Sequence, residues 1–270
     1  MKKIYLFGIV AFIGLALLTM SYTCAEEEGD DPTTEPTTDN TKPDNQTTDN
    51  TKPDNQTTDN TKPDNQTTEN DNGTENNNTE NTDAMAFTDA EIAKANTAAN
   101  IESLTQMEKD IILYCNLARL DGSKFWAKYG DQAKGSAAYV SSLESDLKST
   151  KDLAMLTPEK SLMEAAAYHA NDMSQNNFFE HSSSDGTSFA ARVRSYYGGN
   201  AIAENISAGM GTAIGVVMQL LVDDGLSSLG HRKNILGAKY VAIGVKTATH
   251  KTWRTVTVQD FGDKVITKME

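Results

Sequence analysis

The chain is 270 residues long with a formal net charge of −14, and that charge is unevenly placed. Residues 25–84 carry 17 acidic and 3 basic side chains, while residues 85–270 carry 21 acidic and 19 basic. The part with a globular composition is therefore nearly neutral, which excludes a nucleic-acid surface because such a surface needs a basic face.

Residues 1–25 read as a targeting segment. Lys2 and Lys3 precede an apolar run over 4–20, and the small-residue stretch Ser21-Tyr22-Thr23-Cys24-Ala25 follows. That is the charged, apolar and cleavage-site order of a secretory signal. A transmembrane anchor would need about twenty apolar residues, and here polar residues follow at once. Two processing routes stand. Cys24 directly after the apolar run resembles the lipobox of bacterial lipoproteins, although Ser21 and Tyr22 stand where Leu and a small residue are usual. Cys24 would then be lipidated and would tie the chain to a membrane. Cleavage after Ala25 is the other route. The acidic run Glu26-Glu27-Glu28-Gly29-Asp30-Asp31 resembles a surface-export signal of some bacterial lipoproteins. With Cys24 lipidated, Cys115 has no disulfide partner and reads as a small buried residue.

Residues 26–84 read as a disordered acidic linker. The decad Thr-Thr-Asp-Asn-Thr-Lys-Pro-Asp-Asn-Gln occupies 37–46 and repeats at 47–56 and 57–66. Five of the six prolines lie between Pro32 and Pro63. From 33 to 83 no aliphatic or aromatic side chain offsets the entropy of ordering the backbone. A ten-residue period can mark a solenoid, but these repeats have nothing to stack. A self-repelling spacer fits the composition. The Asn-x-Thr triplets at Asn45, Asn55, Asn65, Asn72 and Asn77 follow from that composition.

A connecting segment over 85–107 leads into a domain over 108–262, with a tail at 263–270. Apolar positions from Leu104 to Ala118 follow helical spacing, so 101–120 reads as an amphipathic helix that Gly122 stops. Phe125, Trp126 and Tyr129 form an aromatic core cluster. A short helix follows at 137–147. Thr157 and Pro158 open the next helix, with a cap and a first-turn proline, and it runs to about 177. His169 lies on its apolar face and reads as a core histidine. Residues 178–186 form a loop, where Asp185-Gly186 explains Ser182, Ser183 and Ser184 as turn chemistry. A short helix at 187–197, a strand at 202–208, a helix at 213–222 and strands at 240–248 and 253–261 complete the domain. The last two strands meet in a turn that exposes His250. Helices with an antiparallel sheet make an α+β layered domain.

One set of polar groups stands out against this apolar background. It comprises His181, Glu204, the pair Asp223-Asp224, and His231. Two imidazoles and two or three carboxylates suit zinc or another divalent cation, acid–base chemistry, or a hydrogen-bonded network that stabilises the walls of a cleft. No His-Glu-x-x-His is present. Arg232 and Lys233 either draw an anion to the cleft or form a solvated helix end. Tyr196 and Tyr197 either line the cleft or pack.

The loop Phe179-Glu180-His181-Ser182, the string Ala-Glu-Asn-Ile-Ser at 203–207 and Gly-His-Arg-Lys-Asn-Ile-Leu at 230–236 resemble the CAP superfamily, or SCP domain, in its bacterial branch. That group includes cysteine-rich secretory proteins, antigen 5 and plant pathogenesis-related proteins. The resemblance covers about residues 108–262 with the motifs in family order. It implies a three-layer α-β-α sandwich with a central antiparallel sheet and an open cleft holding two histidines and two acids. His181, Glu204 and His231 match three of these residue for residue. Aligning Leu221 with the family's tryptophan places Asp224 at the fourth, with Asp223 as its alternate. Here the chain departs from the pattern: the tryptophan is missing and Ala203 replaces a glycine.

Two function classes follow. One is an exported binding module, a bacterial outer-surface lipoprotein or a secreted protein, that captures a lipid, glycan, peptide or host protein, with His181 and His231 as candidate metal ligands. The other is an extracellular hydrolase using the His/Glu cluster with or without zinc. The family carries no uniform activity, and fold does not fix function.

Overall fold

The computed structural model describes the backbone of residues 24–27 and the whole of residues 85–270. The expected targeting segment, the modification of Cys24 and the repeat linker lie outside the described residues.

Helix α1 (Asp89–Ala95) begins at a capping box in which Thr88 and Glu91 bond each other's backbone. Phe87, Ala95, Ala98 and Ile101 are buried in the main core cluster, so residues 85–107 do more than connect. Helix α2 (Gln106–Leu120) starts later than its periodicity suggests, because Thr105 and Glu108 form a second capping box. Gly122 does not stop the chain there. It opens α3 (Gly122–Tyr129), capped by Asp121. A Cβ on Gly122 would stand 2.1 Å from the Leu147 carbonyl oxygen, so glycine lets α4 (Ala137–Ser149) close against α3.

Thr157 and Pro158 form the short strand β2 rather than a helix start, and Glu159 caps α5 (Lys160–Asn176) by accepting from the Leu162 amide at 2.8 Å. The strand takes this pair because the Thr157 and Glu159 amides are claimed by Val241 and Ile243 carbonyls. Asn177 ends α5 in the left-handed conformation. Then come α6 (Phe189–Tyr196), β3 (Ile202–Ala208), α7 (Ala213–Val222), α8 (Gly230–Leu236), β4 (Ala242–His250) and β5 (Arg254–Gly262). His250 ends β4 and is buried, correcting its expected exposure. Its Nε2 bonds the Phe178 carbonyl at 3.1 Å while Nδ1 accepts from the Thr252 and Trp253 amides. The 263–270 segment is bound back to the domain, with the Lys160 amide on the Thr267 carbonyl and the Thr267 amide on Glu159.

The sheet has the order β1-β3-β5-β4-β2, where β1 is Cys24–Glu27. Its pairs are antiparallel except β2 with β4. Side chains alternate across it. Ile202, Glu204, Ile206 and Ala208 face α5 and α6, as the clusters with Leu162, Val193, Ala166 and Met173 show. Ala203 and Asn205 face the other layer, built on α2, α7 and α8. The chain is thus an α+β, α-β-α sandwich. Gly244 sits where α5 presses on the sheet, since a Cβ there would stand 2.2 Å from the Leu162 backbone.

Arg119 locks the second layer. Fully buried, it donates to the carbonyls of Ala154, Ile235, Gly237 and Tyr240 at 2.6–2.9 Å. Burial lowers its pKa to about 10. Cys115, one turn earlier, is a buried free cysteine, as expected, and burial pushes its thiol up to about 12.

Candidate functional site

Glu204 is the hub of the first half of the site. It is fully buried at the third position of β3 and faces α5 and α6. Its Oε1 lies 2.7 Å from His181 Nδ1, and its Oε2 is paired with Arg192 Nη2. Arg192 also donates to the His181 carbonyl at 2.7 Å and to Ser183 Oγ at 3.2 Å. One helical residue therefore fixes both the acid and the loop that carries the histidine. The loop supports itself by turn bonds. Gly186 donates to the Ser183 carbonyl, Asp185 accepts from the Thr187 amide, and Asp172 accepts from the Ser184 amide and hydroxyl. Ser183 and Ser184 thus serve the bonding of the loop itself.

His169 adds to this half. Its Nε2 bonds the Glu180 carbonyl at 2.8 Å and lies 3.9 Å from Glu204 Oε1, while Nδ1 is buried without a partner among the described residues. It is a core histidine, as its apolar face suggests, but only half satisfied. Burial pushes its imidazole below the usual range, against the pull of Glu204. For Glu204, burial alone would raise the carboxyl. The His181 hydrogen bond and the charges of His169 and Arg192 outweigh it and hold the carboxyl below the usual range.

Asp260 completes the enclosure. It is the register partner of Glu204 on β5, fully buried, with no donor to either carboxyl oxygen among the described residues. Burial, then the Glu204 charge, push its carboxyl well above the usual range.

The second half of the site joins Asp223 to His231. Asp223 ends α7 in the left-handed conformation, where Asp is better tolerated than most residues. Its carboxylate accepts from His231 Nδ1 at 2.7 Å and from the His231 amide at 3.0 Å, and so caps α8. Asp224, the aligned residue, is placed elsewhere. It is exposed and accepts from the Ser136 amide and hydroxyl at 3.1 and 2.8 Å. The expected place of Asp224 in the cluster is corrected to Asp223, because the turn after α7 aims only the first of the two carboxylates at α8. Arg232 is no solvated helix end. Buried, it donates to the Leu221 and Val222 carbonyls, Ser142 and Asp146. Tyr197 packs, with its hydroxyl on the Lys264 carbonyl, while Tyr196 is exposed beside Tyr168 with ring centroids 6.5 Å apart.

The two halves stand on different faces of β3. Glu204 projects to the α5 face. Asn205 projects to the other, where it donates to the His231 carbonyl at 3.2 Å and accepts from Asn234 at 2.9 Å. The fit to zinc follows from this geometry. His181 and His231 each commit Nδ1 to a carboxylate, as metal-ligating imidazoles commonly do, so a metal ion would be held through Nε2, while the guanidinium of Arg192 on Glu204 opposes a dication on that carboxylate. Among the described residues no group of three or more His, Cys, Asp or Glu side chains is arranged to hold a metal ion. A complete zinc shell is not assembled among the described residues.

What the site offers is a buried ring nitrogen. With Nδ1–H donating to Glu204, His181 presents Nε2 as a lone pair, and that atom has no hydrogen-bond partner among the described residues. Arg192 and Asp260 were not singled out from sequence. Arg192 resembles any charge on a short amphipathic helix, and Asp260 shows its role only once β3 and β5 are in register.

The profile of the cysteine-rich secretory protein family, CAP, matches residues 113–261, more than half of the chain. Among solved structures, similarity is found to an extracellular SCP-domain protein from Bacillus anthracis, with 21% identity and a TM-score of 0.37 over 60% of this chain and 44% of that one. An outer surface protein from Borrelia burgdorferi is 20% identical over 51% of this chain and 90% of its own, with a TM-score of 0.36. A cysteine-rich secretory protein from Staphylococcus aureus is 13% identical over 60% and 41%, with a TM-score of 0.34. The chain spans less than half the length of the Bacillus protein. No curated protein matches.

Proposed function

The chain belongs to the cysteine-rich secretory protein (CAP) family, and from that premise we propose that it is an exported binding module, carried on its acidic linker and held at a bacterial surface through lipidated Cys24 or released. The observation that carries this reading is His181 Nε2, a buried lone pair with no partner among the described residues, beside a carboxylate already neutralised by Arg192. A buried polar atom left open is costly, and a ligand hydroxyl or amide N–H would satisfy it. The ligand is a lipid, glycan, peptide or host protein.

The test uses the mature chain and His181→Ala on lipid vesicles and on glycan and peptide arrays. A ligand held by the wild type and lost with His181→Ala at unchanged near-UV circular dichroism supports the reading.

A second reading is a hydrolase. It is favoured by Glu204 on Nδ1, which orients the ring as a general base. Ester or peptide turnover that His181→Ala abolishes would replace the binding reading with this one. Zinc at His181 and His231 is tested separately by metal analysis of the purified chain.

A further inference from the structure

We propose that Asp260 is a positioning acid of this site: from β5 it donates an O–H hydrogen bond across the strand pair to Glu204 and so fixes how that carboxylate faces His181 and Arg192. The proposal goes beyond the function above and concerns the protein without ligand.

Register brings the two acids together on one face of the sheet. Glu204, Asp260 and Gly244 are successive cross-strand partners, so they share the face covered by α5. The Gly244 place is closed, because α5 lies too near for any side chain there. Asp260 thus has no side chain opposite it on β4, and the side chain opposite it on β3 is Glu204. Written as two carboxylates, this pair leaves both Asp260 oxygens without a donor in a fully buried place. An unpaired buried charge is expensive.

One proton removes the conflict. The charged and titratable groups of the enclosure are Glu204 on β3, Arg192 on α6, His169 on α5 and His181 on the loop. Arg192 balances one carboxylate and is already bonded to Glu204. The second carboxyl has no cation of its own and is the one to stay neutral. Burial and the Glu204 charge both act in that direction on Asp260. The neutral acid then has one donor and an acceptor beside it. Glu204 receives three donors: His181, Arg192 and Asp260. A carboxylate held from three sides has a single orientation, and His181, bonded to it, inherits that orientation.

The test compares the wild-type chain with Asp260→Asn and Asp260→Leu. Asn keeps a donor of the same size and no charge, whereas Leu removes the donor. At neutral pH the wild-type infrared spectrum should show the carbonyl stretch of a buried, protonated carboxyl, lost in Asp260→Asn. The His181 Nδ1–H proton resonance should hold its place in Asp260→Asn and move downfield in Asp260→Leu, where Glu204 turns more of its charge to the imidazole. A wild-type spectrum without the carboxyl band overturns the proposal. So does an Asp260→Asn chain whose Nδ1–H resonance is displaced or lost. If Asp260→Leu does not fold, the infrared comparison and the Asp260→Asn resonance decide alone.

Discussion

Asp223 and Asp224 are chain neighbours with different partners. Asp223 holds His231 by ring and amide, and Asp224 holds Ser136 at the start of α4. The same division recurs at the next motif, where His231 faces Asp223 and Arg232 reaches into α4 through Ser142 and Asp146. Two adjacent pairs thus tie one half of the site to α4.

This division predicts unequal costs. Asp223→Ala removes the partner of a buried imidazole and the cap of α8, and should destabilise by about 3 kcal/mol. Asp224→Ala removes an exposed cap-like contact and should cost about 1 kcal/mol or less. Urea denaturation measures both. Equal losses would show that Asp224 shares the buried role.

Arg192→Met strips Glu204 of its only charged hydrogen-bond partner among the described residues besides histidine. Breaking a buried pair in this way costs about 3–5 kcal/mol. Adding Glu204→Gln should recover part of it, and a double-mutant cycle would read the coupling. Strict additivity would mean that the two groups do not act as a pair.

Asp260 sets a pH dependence of known sign. Its folded pKa is raised above the unfolded value of about 4. The stability it confers is therefore complete below about pH 4 and lost as pH rises toward the folded pKa, by about 1.4 kcal/mol per unit. Asp260→Asn does not titrate. Its melting temperature should match the wild type near pH 4 and exceed it increasingly as pH rises. A gap that narrows with rising pH would contradict the buried acid.

Cys115 should be inert in the native chain. A buried thiol with its pKa near 12 presents almost no thiolate at neutral pH. Iodoacetamide followed by peptide mapping should label Cys115 only after denaturant is added. Labelling at native rates would mean that α2 opens readily from the sheet.

The elements with strong local signals were legible in sequence. The strand at 202–208 and the helix at 213–222 stand at their expected bounds. Local pattern failed where a distant partner decided. Thr157 and Pro158 carry a helix-opening signature, yet β4 draws them into the sheet. His250 sits beside a turn, yet the Phe178 carbonyl buries it. The same limit explains the site. His181 and Glu204 lie in recognisable motifs, but which aspartate meets His231 depends on one residue's turn after α7. Asp260 became visible only through register, which no single segment specifies.

Arg119 also bears on the order of folding. Its four carbonyl partners lie 35, 116, 118 and 121 residues further along the chain. Contacts at such separation close late and slow the search for the native state. A growing chain that has reached residue 230 can offer this guanidinium one acceptor of four, so burying it then carries the cost of an unsatisfied cation. Completion of the α2 layer must wait for residues 235–240, which are also those that follow His231 out of α8. The segment that satisfies this buried cation thus directly follows the second histidine, and premature closure of the α2 layer is disfavoured by the same side chain.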